Sequence, residues 1–466
     1  MCGQTHGFQS RLGAQTPHTG CASSASENGN FSYPPCGFAS RAVGVSRPCM
    51  SLAHGAIPLE RLPVGLMDES PMQNFLILLT TVATAAVLMH PRVANAPLWR
   101  ATITPLASII GSGFLVLGPI LKENYGAYAP LIMLGLCAAA YLFGGAIRYN
   151  MASLAARTRG GTERRLETLA SWMLAFAYVI SVAYYINLFG SFGVSLTTVD
   201  DAYHARLLAS ALFVLILLVG WTRGFAAMER LEQISVGIKL AIIMGLLCGL
   251  ALYFGEQAKA GALSAPPPTL GLWGAITLGF GLIVTVQGFE TSRYLTHVYD
   301  WRVCTRSMKA AQASSSVIYM VYIALLTYAL PAMAMSTNET AIIDAMEIVA
   351  PILPLLLVAA ALSAQLSAAV ADTSGSGGLV EELTDGRISP RQGYAVLVGI
   401  GLVLTWTTNV FQIISYASQA FAAYYALQSA IATVHSIRQQ NTVRTGMYGA
   451  ATVLAGLIVL FGRPVE

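Results

Sequence analysis

From Met72 onward the chain alternates long apolar runs with short polar connections. The runs lie at about 72–89, 101–121, 127–147, 168–193, 207–221, 232–254, 271–298, 310–334, 349–372, 392–408, 410–434 and 445–462. Most approach the roughly 20 apolar residues that an α-helix needs to cross a bilayer. The pattern predicts an all-α, polytopic membrane protein with twelve transmembrane helices. The run at 127–147 ends at Arg148, and the run at 271–298 turns polar after Gln287. Residues 374–386 are small and then acidic, and read as a short interfacial segment. Residues 1–71 are rich in Ser, Gly, Ala and Pro and hold no apolar run long enough for a signal peptide, so they read as a disordered leader.

Two of the runs are interrupted. The stretch IIGSGFLVLG (109–118) puts two glycines, the poorest ordinary helix formers, at the middle of a spanning segment. Either another helix approaches closely there, or the helix breaks. A second candidate break lies in VTVQGFETSRYL (284–295). Each falls in the first helix of a five-span set, 101–254 and 271–434. Paired Gly-interrupted helices in two halves point to an inverted-repeat transporter. Unwound backbone at mid-membrane is tolerated only where it is buried in protein or lines a cavity. Half-helix N-termini there attract anions and C-termini attract cations.

Composition agrees with the pattern. The chain is 55% hydrophobic and 10% charged, against about 25% charged in soluble proteins. The net charge of +4 follows from basic loops and calls for no nucleic acid. The alternate loops that include 90–100, 148–165, 222–230, 293–309, 387–391 and 438–444 hold 17 basic residues; the opposite loops and C-terminal tail hold four. The basic side is expected to be cytoplasmic. That orientation places the leader outside, although nothing in it resembles an export signal. A true start at Met67 or Met72 would remove the conflict; the alternative is a real disordered tail. Seven cysteines form no CxxC pair, so neither a zinc site nor a disulfide framework is expected, and no cofactor.

Four segments resemble the amino acid–polyamine–organocation (APC) superfamily of secondary transporters, over about 101–435. IIGSGFLV is similar to that family's first core helix, SVGIKLAII (235–243) to its fifth, and GFE (288–290) to its sixth. LVEELTDGRISPR (379–391) is similar to the segment after its eighth. The resemblance implies a ten-helix, 5+5 inverted-repeat (LeuT-like) core with broken first and sixth helices. One extra helix precedes it, at 72–89, and one follows, at 445–462. Two positions depart from the family. FGGAIRYN (143–150) lacks an acidic residue near the end of the second core helix, and Tyr299 and Asp300 stand near where a Glu usually follows the sixth.

Candidate substrate groups are the backbone at Ile110, Gly111, Ser112 and Gly113, and at Val284, Thr285, Val286, Gln287 and Gly288. Their N–H groups suit a carboxylate and their carbonyls an ammonium. A small-residue packing face is the bland alternative for the first set, and a structural brace for Gln287. Tyr178, Tyr184, Tyr185 and Asn187 lie on the third core helix, where the family fold places a wall of the site; Tyr184 is the candidate contact, with packing as the alternative. Glu290 and Arg293 are ionisable within or just below the membrane and so are candidates for gating or proton transfer; at three residues apart they can pair with each other. Lys239 is the one basic residue deep in an apolar span. It suits a proton carrier, and the resemblance adds that proton-coupled members often carry a Lys on this helix. The alternative is snorkelling to the cytoplasmic surface, about two turns away. Ser363 and Ser367 share a helix face and could ligate sodium with carbonyls of the first core helix, or bond between helices. Asp372 could pair with Arg293 or Lys239.

These readings converge on a secondary active transporter of amino acids or related amines working by alternating access, with protons, or alternatively sodium, as the coupling ion. Its partners would be the small-molecule substrate and the lipid bilayer, and its place a bacterial inner membrane. A transporter-like protein that senses or binds a partner instead of transporting is the rival. A membrane enzyme finds no metal-ligand cluster, nucleophile elbow or phosphate loop in the sequence.

Overall fold

The structure is a computed structural model that describes residues 70–111, 113–156, 161–222, 229–297, 299–331 and 338–465. Fifteen α-helices occur among the described residues, and no strand. In chain order they are α1 (Ser70–Met89), α2 (Pro91–Ala94), α3 (Pro97–Ile109), α4 (Gly113–Tyr125), α5 (Ala129–Ala156), α6 (Gly161–Val194), α7 (Ala202–Thr222), α8 (Glu229–Lys259), α9 (Leu272–Gly281), α10 (Trp301–Ala329), α11 (Ala341–Glu347), α12 (Leu353–Leu383), α13 (Pro390–Thr407), α14 (Val410–Arg438) and α15 (Thr442–Phe461). Eight helical stretches among the described residues are long and apolar enough to cross a membrane. Among the described residues most of each apolar run is helical, and the runs at 101–121 and 271–298 are divided.

Two boundaries differ from the sequence reading. α5 continues past Arg148 to Ala156, because Arg148 reaches sideways to bond Gln312 of α10 and lays its guanidinium over the Tyr141 ring. The expected interfacial segment at 374–386 is instead the last turns of α12, which runs to Leu383. Its glycines are used for close packing. A Cβ built at Gly375 would lie 3.2 Å from the Tyr178 ring, and one at Gly377 would strike Tyr394. The helix stops where Asp385 and Gly386 take φ of 51° and 75°, the left-handed turn common at helix C-termini.

α6 is the central post. It is buried along most of its length and packs against α7, α12, α13 and α14. Ala-, Ser- and Gly-rich faces let these backbones approach, the main source of helix attraction in lipid. α1 lies on α8, with Ile77 set against Gly245 and Gly249. At the other end of the chain, the segment after α15 turns back along α9. Arg463 N–H donates to the Thr277 carbonyl at 3.0 Å, and the Gly462 carbonyl accepts from Gln419 of α14 at 2.9 Å. Gly281, lacking a side chain, lets the Arg463 backbone lie against it. The Trp273 and Phe461 rings meet edge to face above this contact.

Candidate functional site

The first break follows from IIGSG. α3 ends at Ile109, and Ile110 leaves helical geometry at φ −83°, ψ 56°. Helix resumes at Gly113. The last turn of α3 leaves carbonyls without helical partners, and the protein assigns them. Ala107 accepts from the Lys239 ammonium at 2.8 Å, and Ile109 from the Tyr319 hydroxyl at 3.0 Å. Gly111 and Lys239 line one small cavity with Phe114, Leu115 and Ala364.

The second break is longer. α9 ends at Gly281, a 3-10 turn covers Ile283–Val286, Gln287 is extended, and a second 3-10 segment runs Phe289–His297. Gly288 sits at φ 110°, a region that residues with a Cβ rarely adopt. It also abuts the first break: a Cβ there would lie 2.6 Å from the Ser108 carbonyl carbon. A Cβ on Gly113 would lie 3.0 Å from Thr285 Cα. The two breaks therefore touch twice, each through a glycine. The Tyr319 hydroxyl, 2.6 Å from the Thr285 carbonyl as well as 3.0 Å from that of Ile109, joins them a third time.

The structure brings most of the expected residues to this crossing and gives several of them partners other than a ligand. Ile110, Gly111, Gly113, Val284, Thr285, Val286 and Gln287 are buried there. Ser112 lies outside the described residues. Val284 N–H donates to Ser418 of α14 at 3.1 Å, and that hydroxyl donates to the Gly281 carbonyl at 2.6 Å. Thr285 N–H bonds Leu282 at 3.0 Å. Part of the second break is thus patched from within, because a buried amide must be paired somewhere. Gln287 Nε2 donates to the Tyr185 hydroxyl at 2.9 Å, while its Oε1 has no partner among the described residues. The Tyr184 hydroxyl faces Gly113. Tyr178 places its ring edge on Phe421. Asn187 bonds Ala183 and Thr405, each at 2.8 Å, bracing α6 against α13.

The charged residues sort differently from the sequence reading. Glu290 turns back to accept from Gly288 N–H and from the Tyr425 hydroxyl, both at 3.1 Å. Tyr425 is held for this by stacking between Phe143 and Phe289. With Glu290 occupied by the amide that the break frees, the ion pair made by Arg293 is with Glu167 of α6. Asp372 accepts from the Ser181 hydroxyl. Ser363 meets Ser235 of α8, and Ser367 bonds back to its own helix at Ala364, 3.2 Å away.

Tyr319, Tyr425, Ser418 and Glu167 were missed from sequence. Tyr319 and Ser418 sit in apolar helices among similar residues, and only the crossing of two distant segments gives them work. Glu167 follows Glu163 in GGTERRLET, which reads as a solvated helix start. In the fold both acids pair with basic residues of other elements, Glu163 with Arg438 at 2.6 Å and Glu167 with Arg293.

Comparison with known proteins places this geometry. A family model described as APC superfamily transporter matches residues 91–462. An uncharacterized protein of Aquifex aeolicus (strain VF5) is 37% identical over 409 residues, covering 86% of this chain and all of that protein. The fold is similar to that of Mhp1, a nucleobase-cation-symport-1 family transporter solved in a closed conformation with bromovinylhydantoin bound. The TM-score is 0.51 at 10% identity, over 78% of this chain and 91% of that one. With a family model covering most of its length, and interrupted helices crossing where that family's motifs fall, this chain belongs to the APC superfamily of membrane transporters.

Proposed function

We propose that the protein is a proton-coupled secondary transporter of amino acids or related amines, working by alternating access in a bacterial inner membrane. Counting each broken helix as one crossing makes twelve spans, arranged as five-helix repeats at 101–254 and 271–434 with one added helix at each end. The bacterial relative supports the membrane assigned.

One observation carries the reading: the Lys239 ammonium sits on the Ala107 carbonyl, in the last turn of α3. The C-terminal end of a half-helix holds partial negative charge and attracts a cation. When Lys239 is protonated it fills that position and ties α8 to α3. When it is neutral the bond loses its charge assistance and the tether on α3 weakens. Proton binding therefore differs in strength between states with and without this contact, which is what biasing a conformational equilibrium requires. A substrate amine near Gly111 competes for the same electrostatic field, which couples substrate to proton.

Uptake into proteoliposomes from a panel of amino acids and amines, with and without an imposed pH gradient, tests the proposal. Lys239→Met keeps the length of the side chain and removes its charge. The expected result is loss of gradient-driven accumulation with substrate exchange retained. Accumulation by Lys239→Met at the wild-type level would return Lys239 to a snorkelling anchor.

A further inference from the structure

The ionisable groups near the crossing already hold partners. Lys239 has Ala107, Glu290 has Gly288 and Tyr425, Asp372 has Ser181, and Arg293 has Glu167. Among the neutral amides of the described residues, Gln73, Asn74, Asn150 and Gln287 each leave one buried atom unpaired, and Gln365 leaves both. Gln365, on α12, is fully buried, and both its Nε2 and its Oε1 lack partners among the described residues. Gln287 Oε1 is also without one. Leaving a buried donor or acceptor unpaired costs about 1–3 kcal/mol, so an amide with both atoms unpaired is either a standing loss of stability or a receptor.

Its position favours a receptor. Leu362, Gln365, Asp372 and Ser376 form one helical stripe. Leu362 packs near Gly193, Asp372 bonds Ser181, and the Ser376 hydroxyl donates to the Ala175 carbonyl at 3.3 Å. Every other member of the stripe thus faces α6, and Gln365 faces it between Ser181 and Gly193. That stretch of α6, a little over three turns long, includes Tyr184 and Tyr185, and Tyr185 accepts from Gln287. Ala364, beside Gln365, lines the cavity that reaches Gly111 and Lys239. Gln287 thus lies at the crossed breaks, and Gln365 lies on the α6-facing stripe of α12, next in the chain to a residue of that cavity's lining.

We propose that Gln365 is a specificity-determining substrate contact, and that it reads a neutral amide group on the substrate. Gln365 offers a donor and an acceptor side by side. The complement is one group with a carbonyl and an N–H side by side: the carboxamide of an amino acid or amine, or a ring amide. A carboxylate supplies two acceptors and no donor, leaving Oε1 unpaired. An aliphatic side chain leaves both atoms unpaired, and sites built around buried polar groups reject such analogues strongly. The inference rests on the transport reading of the same site.

The test uses the purified full chain in detergent and follows thermal unfolding with L-glutamine, L-asparagine and hydantoin against L-glutamate and L-leucine. The amide compounds are expected to raise Tm and the others to leave it unchanged; hydantoin separates a ring amide from a side-chain carboxamide. Gln365→Met preserves volume and removes both unpaired atoms, so its unliganded Tm should equal or exceed that of the wild type. Its affinity for the amide compounds should fall about 10- to 100-fold, two neutral hydrogen bonds' worth. Gln365→Leu, which also removes both atoms, should lose the same response if the Met variant does not fold. A lower Tm in unliganded Gln365→Met, an unchanged amide response in either folded variant, or a wild type that ignores every amide compound would each overturn the assignment. Proteoliposome uptake separates the two readings. Amide compounds bound but never carried would sink transport and leave Gln365 as a receptor. Glutamate or leucine carried while amides neither bind nor compete would do the reverse.

Discussion

At the scale of single residues, the crossing depends on groups that tolerate little change. Gly288 combines φ 110° with backbone contact to Ser108, so even Gly288→Ala must both strain the chain and push α3 away. The backbone term alone is worth about 1 kcal/mol or more. The expected outcome is an inserted protein with lower Tm and uptake reduced at least tenfold; wild-type Tm and uptake would show that the left-handed turn is dispensable. Tyr319→Phe removes one hydroxyl and leaves two break carbonyls, of Ile109 and Thr285, without it. Loss of about 1–2 kcal/mol in thermal unfolding is expected, with folding otherwise intact. Of these two residues only the glycine was visible in sequence, because a glycine inside an apolar run is an anomaly and a tyrosine there is not. Lys239 and Glu290 were legible for the same reason, as charges where charges are costly. Their partners were not, since an Ala107 carbonyl and a Tyr425 hydroxyl become special only through contacts more than a hundred residues away.

At the scale of elements, the apolar pattern located the long helices, though not the short α2 and α11, and said little about how one element restrains another. The interruption of the run at 271–298 was legible from Gln287-Gly288. That Ser418 of α14 would pin Gly281 and Val284 was not. Nor was it apparent that residues 462–465 would lie along α9, since a short polar tail has no periodicity to read. That contact gives α9 three restraints on one side: Arg463 N–H on Thr277, the shared anchor of Gly462 on Gln419, and the Trp273–Phe461 ring pair. α9 has only ten residues and little helix of its own to hold it. Ending the chain at Gly462 should therefore loosen α9 while sparing insertion. Hydrogen exchange over 272–282 is expected to speed up by about tenfold, the value of one or two lost backbone hydrogen bonds, with α12 unchanged as the internal control. Equal exchange in both proteins would mean that α14 alone fixes α9.

At the scale of the whole molecule, a chain of polar contacts on the side bearing the basic loops links elements that the proposed alternating access would separate. Asn150 at the end of α5 donates to Gln428 of α14 at 2.8 Å, and Gln428 to Glu167 of α6 at 3.5 Å. Glu167 also pairs with Arg293, which belongs to the second half of the broken helix. The pair is mostly shielded, with side chains 19% and 13% exposed, so solvent screens it less than a surface pair. A charge-assisted contact of this kind is worth about 1.5–3 kcal/mol, and spending it on closure shifts the balance of the two states by about 10- to 150-fold. Glu167→Gln keeps the shape and weakens the tie. If the basic side is cytoplasmic, a single cysteine at position 286 in a Cys-free background should react faster with an impermeant maleimide in inside-out vesicles once Glu167→Gln is added. It should react no faster from the opposite side. Reversing the pair, Glu167→Arg with Arg293→Glu, should slow the reaction again, which a merely damaged helix would not do. Labelling at the same rate with and without Glu167→Gln would show that Arg293 and Glu167 brace the inner half-helix in every state and gate nothing.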